Sequence, residues 1–241
     1  MKINKYQSPN FDKKKRSIKS IKLIIIHYTG MQSERESIIR LCSSKSKVSS
    51  HLLINQKGKI YQLVENNRIA WHSGDSCWGK YKNLNKNSIG IELVNKGHKF
   101  GYTAFKKKQL SSLIRVCNEL IKKYKIKKQN VVGHSDIAPT RKIDPGEKFP
   151  WEKLYFKKIG IWHKFKSDFL RKFRGKKVLN KNDSEKFIKN LSSIGYCVFN
   201  KNKIEISKVI RAFQRHFRKE LINGKIDQEC LIIAQNLAKK L

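Results

Sequence analysis

Three short apolar runs, each carrying or meeting a residue able to do chemistry, constrain this chain most. Leu23-Ile24-Ile25-Ile26 stops at His27, Ser88-Ile89-Gly90-Ile91-Glu92-Leu93-Val94 carries Glu92, and Val131-Val132-Gly133 leads into His134. Runs of this length rich in Ile and Val read as buried strands with polar groups at their mouths. His51-Leu52-Leu53-Ile54, the turn Asn55-Gln56-Lys57-Gly58 and Lys59-Ile60-Tyr61-Gln62-Leu63-Val64 read together as a β-hairpin. Between the strands, Leu110, Leu113, Ile114, Cys117, Leu120, Ile121 and Tyr124 recur at helical spacing over residues 105–124, with Thr103 available as a cap. Strands alternating with helices make the fold class α/β, a central mixed β-sheet flanked by helices.

After a basic stretch without a clean period, residues 184–193, 207–221 and 228–241 form three amphipathic segments, so a small C-terminal three-helix domain is expected. The expected division is a first domain over 1–165, a basic linker over 166–181 and the helical domain over 182–241. Residues 135–150 hold three prolines and two charged pairs, which predicts an ordered loop or a set of turns.

The formal charge of +37 would draw polyanions to the surface, yet Lys is scattered along nearly the whole chain beside abundant Ile and Asn. A selected binding surface and a compositional bias both account for that, and no RNA- or DNA-reading motif accompanies the charge. The five cysteines, Cys42, Cys77, Cys117, Cys197 and Cys230, show no CxxC spacing and are odd in number, which favours buried free thiols over a disulfide framework. The N-terminal residues carry Lys13, Lys14, Lys15 and Arg16 but no apolar stretch of signal length, and no later stretch is long enough to span a bilayer.

His27, His134 and Asp144 make a candidate ligand set, because two imidazoles and a carboxylate leave the fourth tetrahedral position of Zn2+ open for water. Taken singly, each also reads as a satisfied residue at a strand end. The surrounding motifs are Ile24-Ile25-Ile26-His27-Tyr28-Thr29, Ser50-His51-Leu52-Leu53-Ile54, Trp71-His72-Ser73-Gly74, Ile89-Gly90-Ile91-Glu92, and the long Val131-Val132-Gly133-His134-Ser135-Asp136-Ile137-Ala138-Pro139-Thr140-Arg141-Lys142-Ile143-Asp144-Pro145-Gly146. With these the chain resembles the N-acetylmuramoyl-L-alanine amidases of the AmpD/AmiD type, whose fold is shared with peptidoglycan recognition proteins. The resemblance runs from about residue 21 to 151.

It implies one catalytic Zn2+ on His27, His134 and Asp144, a catalytic carboxylate at Glu92 and a catalytic lysine at Lys142. It implies as substrate peptidoglycan or a muropeptide, cut between the lactyl group of N-acetylmuramic acid and L-alanine. Trp71, His72 and His51 are expected at the cleft wall or against substrate. Asp136 is an alternative carboxylate in the same loop, while His98, His163 and His216 lie outside those amidase motifs and read as surface residues. Val209-Ile210-Arg211-Ala212-Phe213-Gln214-Arg215-His216-Phe217 with Gly224-Lys225-Ile226-Asp227 resembles the three-helix peptidoglycan-binding module of wall hydrolases, with Phe213 and Phe217 as its packing core. The alternative on the same fold is a recognition protein that binds muropeptides without cutting them. A cytoplasmic location follows from the absent export signal and the free-looking thiols, a periplasmic or envelope-associated one from the wall-binding module.

Overall fold

The structure, a computed structural model, describes residues 3–178, 180–198 and 202–241. Six strands form one mixed sheet: β1 (Ile3–Lys5), β2 (Leu23–Tyr28), β3 (Leu52–Ile54), β4 (Ile60–Gln62), β7 (Ser88–Leu93) and β8 (Val131–Gly133). Their spatial order is β1-β4-β3-β7-β2-β8, with only the β3/β4 pair antiparallel. That pair is the expected hairpin, its turn closed by the Asn55 side chain accepting from Lys59 N at 2.8 Å. A separate two-stranded ribbon, β5 (Cys77–Trp78) and β6 (Tyr81–Lys82), precedes β7.

Side chains alternate across a strand, and that alternation divides the molecule. Ile24 and Ile26 of β2, with Ile89, Ile91 and Leu93 of β7, face the long helix α2 (Lys107–Tyr124) after α1 (Glu34–Cys42). Leu23 and Ile25, with Val132, face the other way and share a core with the C-terminal helices α6 (Lys181–Ile194), α7 (Lys203–Phe217) and α8 (Gln228–Ala238). His27, next in the odd-numbered series, lies on that second face at the strand's end.

Helix α2 starts later than the periodicity predicts, and its N-cap is Lys106 rather than Thr103, whose carbonyl instead accepts from Asn95 Nδ2 at 2.8 Å. Its buried stripe includes Gln109, because the Gln109 amide donates to the carbonyls of Ile54 and Val94 at 2.9 and 3.2 Å and so ties helix to sheet. Helix α7 begins ahead of the expected residue 207: Asn202 and Glu205 form a reciprocal capping box there. Phe213 and Phe217 are buried core, as expected, with ring centroids 5.2 Å apart.

Three further expectations are corrected. His134 is not the last strand residue but the first of a short helix, α3 (His134–Ile137), inside the loop that leads to α4 (Trp151–Tyr155) and α5 (Ser167–Arg171). His163 and His216 are buried, and only His98 is exposed. Cys77 and Cys197 are not free: a disulfide joins them across 120 residues, tying the β5 ribbon to the segment after α6, while Cys42, Cys117 and Cys230 stay as thiols. At that junction Gly195 sits at φ +132°, and a Cβ there would lie 2.4 Å from the Trp78 ring, so only glycine allows the approach.

Candidate active site

The parallel strands β7, β2 and β8 end side by side, and in open α/β sheets such carboxyl ends are where ligands gather. His27 on β2 is the register partner of Glu92 on β7, so the two share a face. β8 ends at Gly133, and the chain turns into α3 with His134 at its start. The loop then returns Asp144 to the same place, held by Ser135 N donating to the Asp144 carbonyl at 2.8 Å. These residues line a cleft of about 570 Å³ together with Lys142, Trp71 and His72.

The cleft's floor is a triangle of donor atoms. His27 Nδ1 and His134 Nδ1 are 3.0 Å apart, and each lies near Asp144 Oδ2, at 3.2 and 3.1 Å. Those edges approach the roughly 3.3–3.4 Å between donors of a tetrahedral ion with bonds of about 2.0–2.1 Å. Two imidazoles and one carboxylate, all buried, are the donor set Zn2+ prefers, so the residues present fit the ion that the resemblance implies.

The proton positions agree. Ser88 Oγ donates to the Leu84 carbonyl at 2.6 Å and so accepts from His72 Nε2 at 3.2 Å. His72 Nδ1 is then a bare acceptor for His27 Nε2–H at 3.1 Å, which leaves the lone pair of His27 Nδ1 directed into the triangle. On the other side His134 Nε2–H donates to the Ser73 carbonyl at 3.2 Å, freeing His134 Nδ1 in the same sense. Both candidate histidine ligands therefore have the far nitrogen engaged, the arrangement that orients metal-binding imidazoles.

Charge follows the same geometry. Burial, with His134 close by, lowers His27 to about 4 and keeps it neutral. Burial alone would push Asp144 up, but His134 and His27 outweigh it and hold the carboxyl well below the usual range. Glu92 is pushed up to about 8 by burial and then by Asp144, with Lys142 opposing, and its Oε2 is buried without a hydrogen-bond partner among the described residues. A carboxyl that is raised, unpartnered and in a cleft is positioned for proton transfer.

Trp71 is half-buried at the cleft margin, its indole N–H donating to Asp12 at 2.7 Å. His72 borders the cleft as well, but packs so closely on the sheet that a Cβ at Gly90 would lie 2.5 Å from its ring. His51 is a correction: it is wholly buried, its Nδ1 accepts from Gly90 N at 3.0 Å, and burial followed by Arg16 lowers it to about 3, so it supports the site from beneath rather than touching substrate. Asp136 does not enter the triangle; it caps α3 by accepting from Gly133 N at 2.7 Å. Ser88 and Ser73 were not anticipated, since one acts through a side chain two residues from Gly90 and the other through a backbone carbonyl.

Fold and site together define a hydrolase built around a two-histidine, one-carboxylate cluster at strand ends. Residues 17–147 match the N-acetylmuramoyl-L-alanine amidase family. The chain is 38% identical to the N-acetylmuramoyl-L-alanine amidase AmiD of Escherichia coli K12, over 91% of this chain and 83% of that one. It is 36% identical to the 1,6-anhydro-N-acetylmuramyl-L-alanine amidase AmpD of Haemophilus influenzae, over 61% of this chain and 87% of that one. Its fold superimposes with a TM-score of 0.80 on E. coli AmiD in complex with anhydro-N-acetylmuramic acid-L-Ala-D-γ-Glu-L-Lys, at 35% identity, covering 95% of this chain and 92% of AmiD. Pseudomonas aeruginosa AmpDh3 in complex with an anhydromuramic pentapeptide matches with a TM-score of 0.79 at 30% identity, covering 92% of each chain. The chain belongs to the N-acetylmuramoyl-L-alanine amidase family and is an enzyme of it.

Proposed function

We propose that this chain is a zinc-dependent amidase that hydrolyses the amide between the lactyl group of N-acetylmuramic acid and L-alanine, in peptidoglycan or in anhydro-muropeptides. The observation that carries this reading is the donor triangle of His27, His134 and Asp144 with Glu92 beside it on the neighbouring strand. When bound there, Zn2+ would supply a water of lowered pKa and a Lewis acid for the scissile carbonyl.

The chain's own groups account for the remaining steps. Glu92 takes a proton from the attacking water as its oxygen bonds to the lactyl carbonyl carbon. Lys142 offers a fixed positive charge where negative charge develops on the carbonyl oxygen. As the carbon–nitrogen bond breaks, Glu92 returns the proton to the departing amine of L-alanine, and the second proton of the water follows from the new carboxyl group, leaving a carboxylate on the sugar and an ammonium on the peptide. Trp71 contacts the substrate at the cleft margin, with His72 in the cleft wall behind it.

In this reading residues 1–165 are the catalytic domain, 166–181 a basic connector and 182–241 a peptidoglycan-binding module that raises the local concentration of a polymeric substrate. The Cys77–Cys197 bond supports a periplasmic or envelope-associated location over a cytoplasmic one, because disulfides persist in oxidising compartments. Among the described residues no helix is long and apolar enough to cross a membrane. The test is mass spectrometry of products from a defined anhydro-muramyl tripeptide. Free tripeptide and free anhydro-sugar are expected; an intact substrate, or cleavage within the peptide, would refute the reading.

A further inference from the structure

Asp136 lies two residues after His134 in α3 and is almost fully buried, yet no metal donor touches it. Its carboxylate is instead saturated by three donors. Gly133 N donates to Oδ2 at 2.7 Å, the Tyr196 hydroxyl to Oδ1 at 2.7 Å and His216 Nδ1 to Oδ2 at 2.8 Å. Two of the three come from the C-terminal helical part: Tyr196 from the segment after α6, His216 from the last turn of α7. Both are buried.

His216 also grips the far end of the loop. Its ring stacks on Trp151 with centroids 3.9 Å apart and planes 14° apart, and Trp151 opens α4 just beyond Asp144. One residue of α7 therefore spans the loop that carries both candidate ligands. The residue after Tyr196, Cys197, is bonded to Cys77, close along the chain to Ser73, whose carbonyl orients His134 Nε2. His134 is thus approached from two sides by groups that trace back to the same docked segment.

Docking alone does not require this chemistry. A buried carboxylate costs several kcal/mol unless it is fully hydrogen-bonded, and apolar side chains of similar volume commonly serve as well for adhesion. The apolar contacts of Leu23, Ile25 and Val132 already join the C-terminal helices to the sheet. The polar network sits where it can govern the helix that bears His134.

We propose that Tyr196 and His216 are positioning residues for the catalytic centre: through Asp136 they hold the first turn of α3, so the C-terminal helices complete the active site as well as bind wall. This rests on the reading of His27, His134 and Asp144 as metal ligands. The test uses the full oxidised chain, with Co2+ as the probe metal. Wild type, Y196F/H216F and H216N are compared for Co2+ affinity, for the visible absorption band of the bound ion, and for kcat and KM on the anhydro-muramyl tripeptide. Y196F/H216F keeps both rings and removes both donors, whereas Asn places an amide N–H near the position of His Nδ1.

Y196F/H216F is expected to bind Co2+ about tenfold more weakly, with an altered band and a lower kcat at nearly unchanged KM. H216N, which keeps the donor to Asp136 but loses the ring stacked on Trp151, should bind Co2+ more tightly than Y196F/H216F. Wild-type affinity and an unchanged band in Y196F/H216F would overturn the proposal and reduce the network to docking. Should Y196F/H216F fail to fold, Y196F alone, which deletes one oxygen, should still weaken Co2+ binding by about threefold, and no change would overturn the proposal equally. A wild-type chain that binds no Co2+ would instead remove the metal reading on which the proposal stands.

Discussion

The ends of β7, β2 and β8 and the three C-terminal helices bury polar groups to different ends. At the strand ends, His27, His134 and Asp144 are buried side by side with Glu92 and Lys142 close by, and the desolvation of such groups is offset only by specific partners or a bound cation. In the helices, Phe187, Leu191, Val209, Phe213, Ile233 and Leu237 fill a core that any similar apolar set could fill, Asn180, Asn202 and Asp227 cap the helix starts, and the buried charges of Arg218 and Glu229 are paired with Asp227 and Arg174. The first region should therefore respond sharply to single-atom changes, and the second should respond mainly through stability. The junction at Asp136 is where a helix of the generic region meets the exacting one.

The largest effect expected is at the triangle. Asp144→Ala should abolish metal binding and reduce turnover to background, a loss of at least about three orders of magnitude, while the fold survives in the circular dichroism spectrum. Glu92→Gln keeps the shape and should lower kcat by roughly 10²–10⁴-fold with metal content unchanged; simultaneous metal loss would show that Glu92 is a ligand and break the assignment of roles. One shell outward, Ser88→Ala leaves His72 Nε2–H without its acceptor, and metal affinity measured by competition with a chelator should fall about 10-fold. An unchanged affinity would mean that the Ser88–His72–His27 relay does not set the orientation of His27.

The helical region should answer in stability instead. Replacing both Cys77 and Cys197 by Ser removes a link across 120 residues and should cost about 2–4 kcal/mol in urea unfolding, with kcat falling less than in any cleft variant. A pH titration separates the regions as well. Glu92 rises from the ordinary 4.5 to about 8 in the fold, so its neutral form is the favoured one there. That contribution is complete below about 4.5 and is lost as pH rises through about 8, so the metal-free chain should become less stable over this window and Glu92→Gln should flatten the slope. A slope unchanged by the substitution would show that Glu92 is not the group responsible.

What the sequence made legible divides along the same line. Strands β2, β7 and β8, the β3/β4 hairpin, and the positions His27, Glu92, His134, Lys142 and Asp144 that the structure brings to one cleft, could be read because each sits inside a local apolar run or a contiguous motif. Positions whose meaning depends on residues far apart in the chain carry no such local signal. His216 looked like a surface histidine because neither Asp136 nor Trp151 is near it in sequence, and Cys77 and Cys197 looked unpaired for the same reason. His51 sits in one of the quoted motifs, but its contact with Gly90 N places it deeper in the sheet than the cleft residues. Ser33 with Glu36, and Asn202 with Glu205, carried helix-start signals that the apolar periodicity alone did not reveal.

The central claim is that a metal held by His27, His134 and Asp144, with Glu92 as proton carrier, performs the hydrolysis. Turnover of an anhydro-muramyl tripeptide, measured on one preparation against zinc content from zero to one per chain, tests it most directly when repeated with Glu92→Gln. The account predicts a rate that rises in proportion to zinc and saturates at one ion, and a variant that takes up the same ion yet barely turns over. Full rate in the zinc-free chain, or a Glu92→Gln enzyme as fast as wild type, would contradict it.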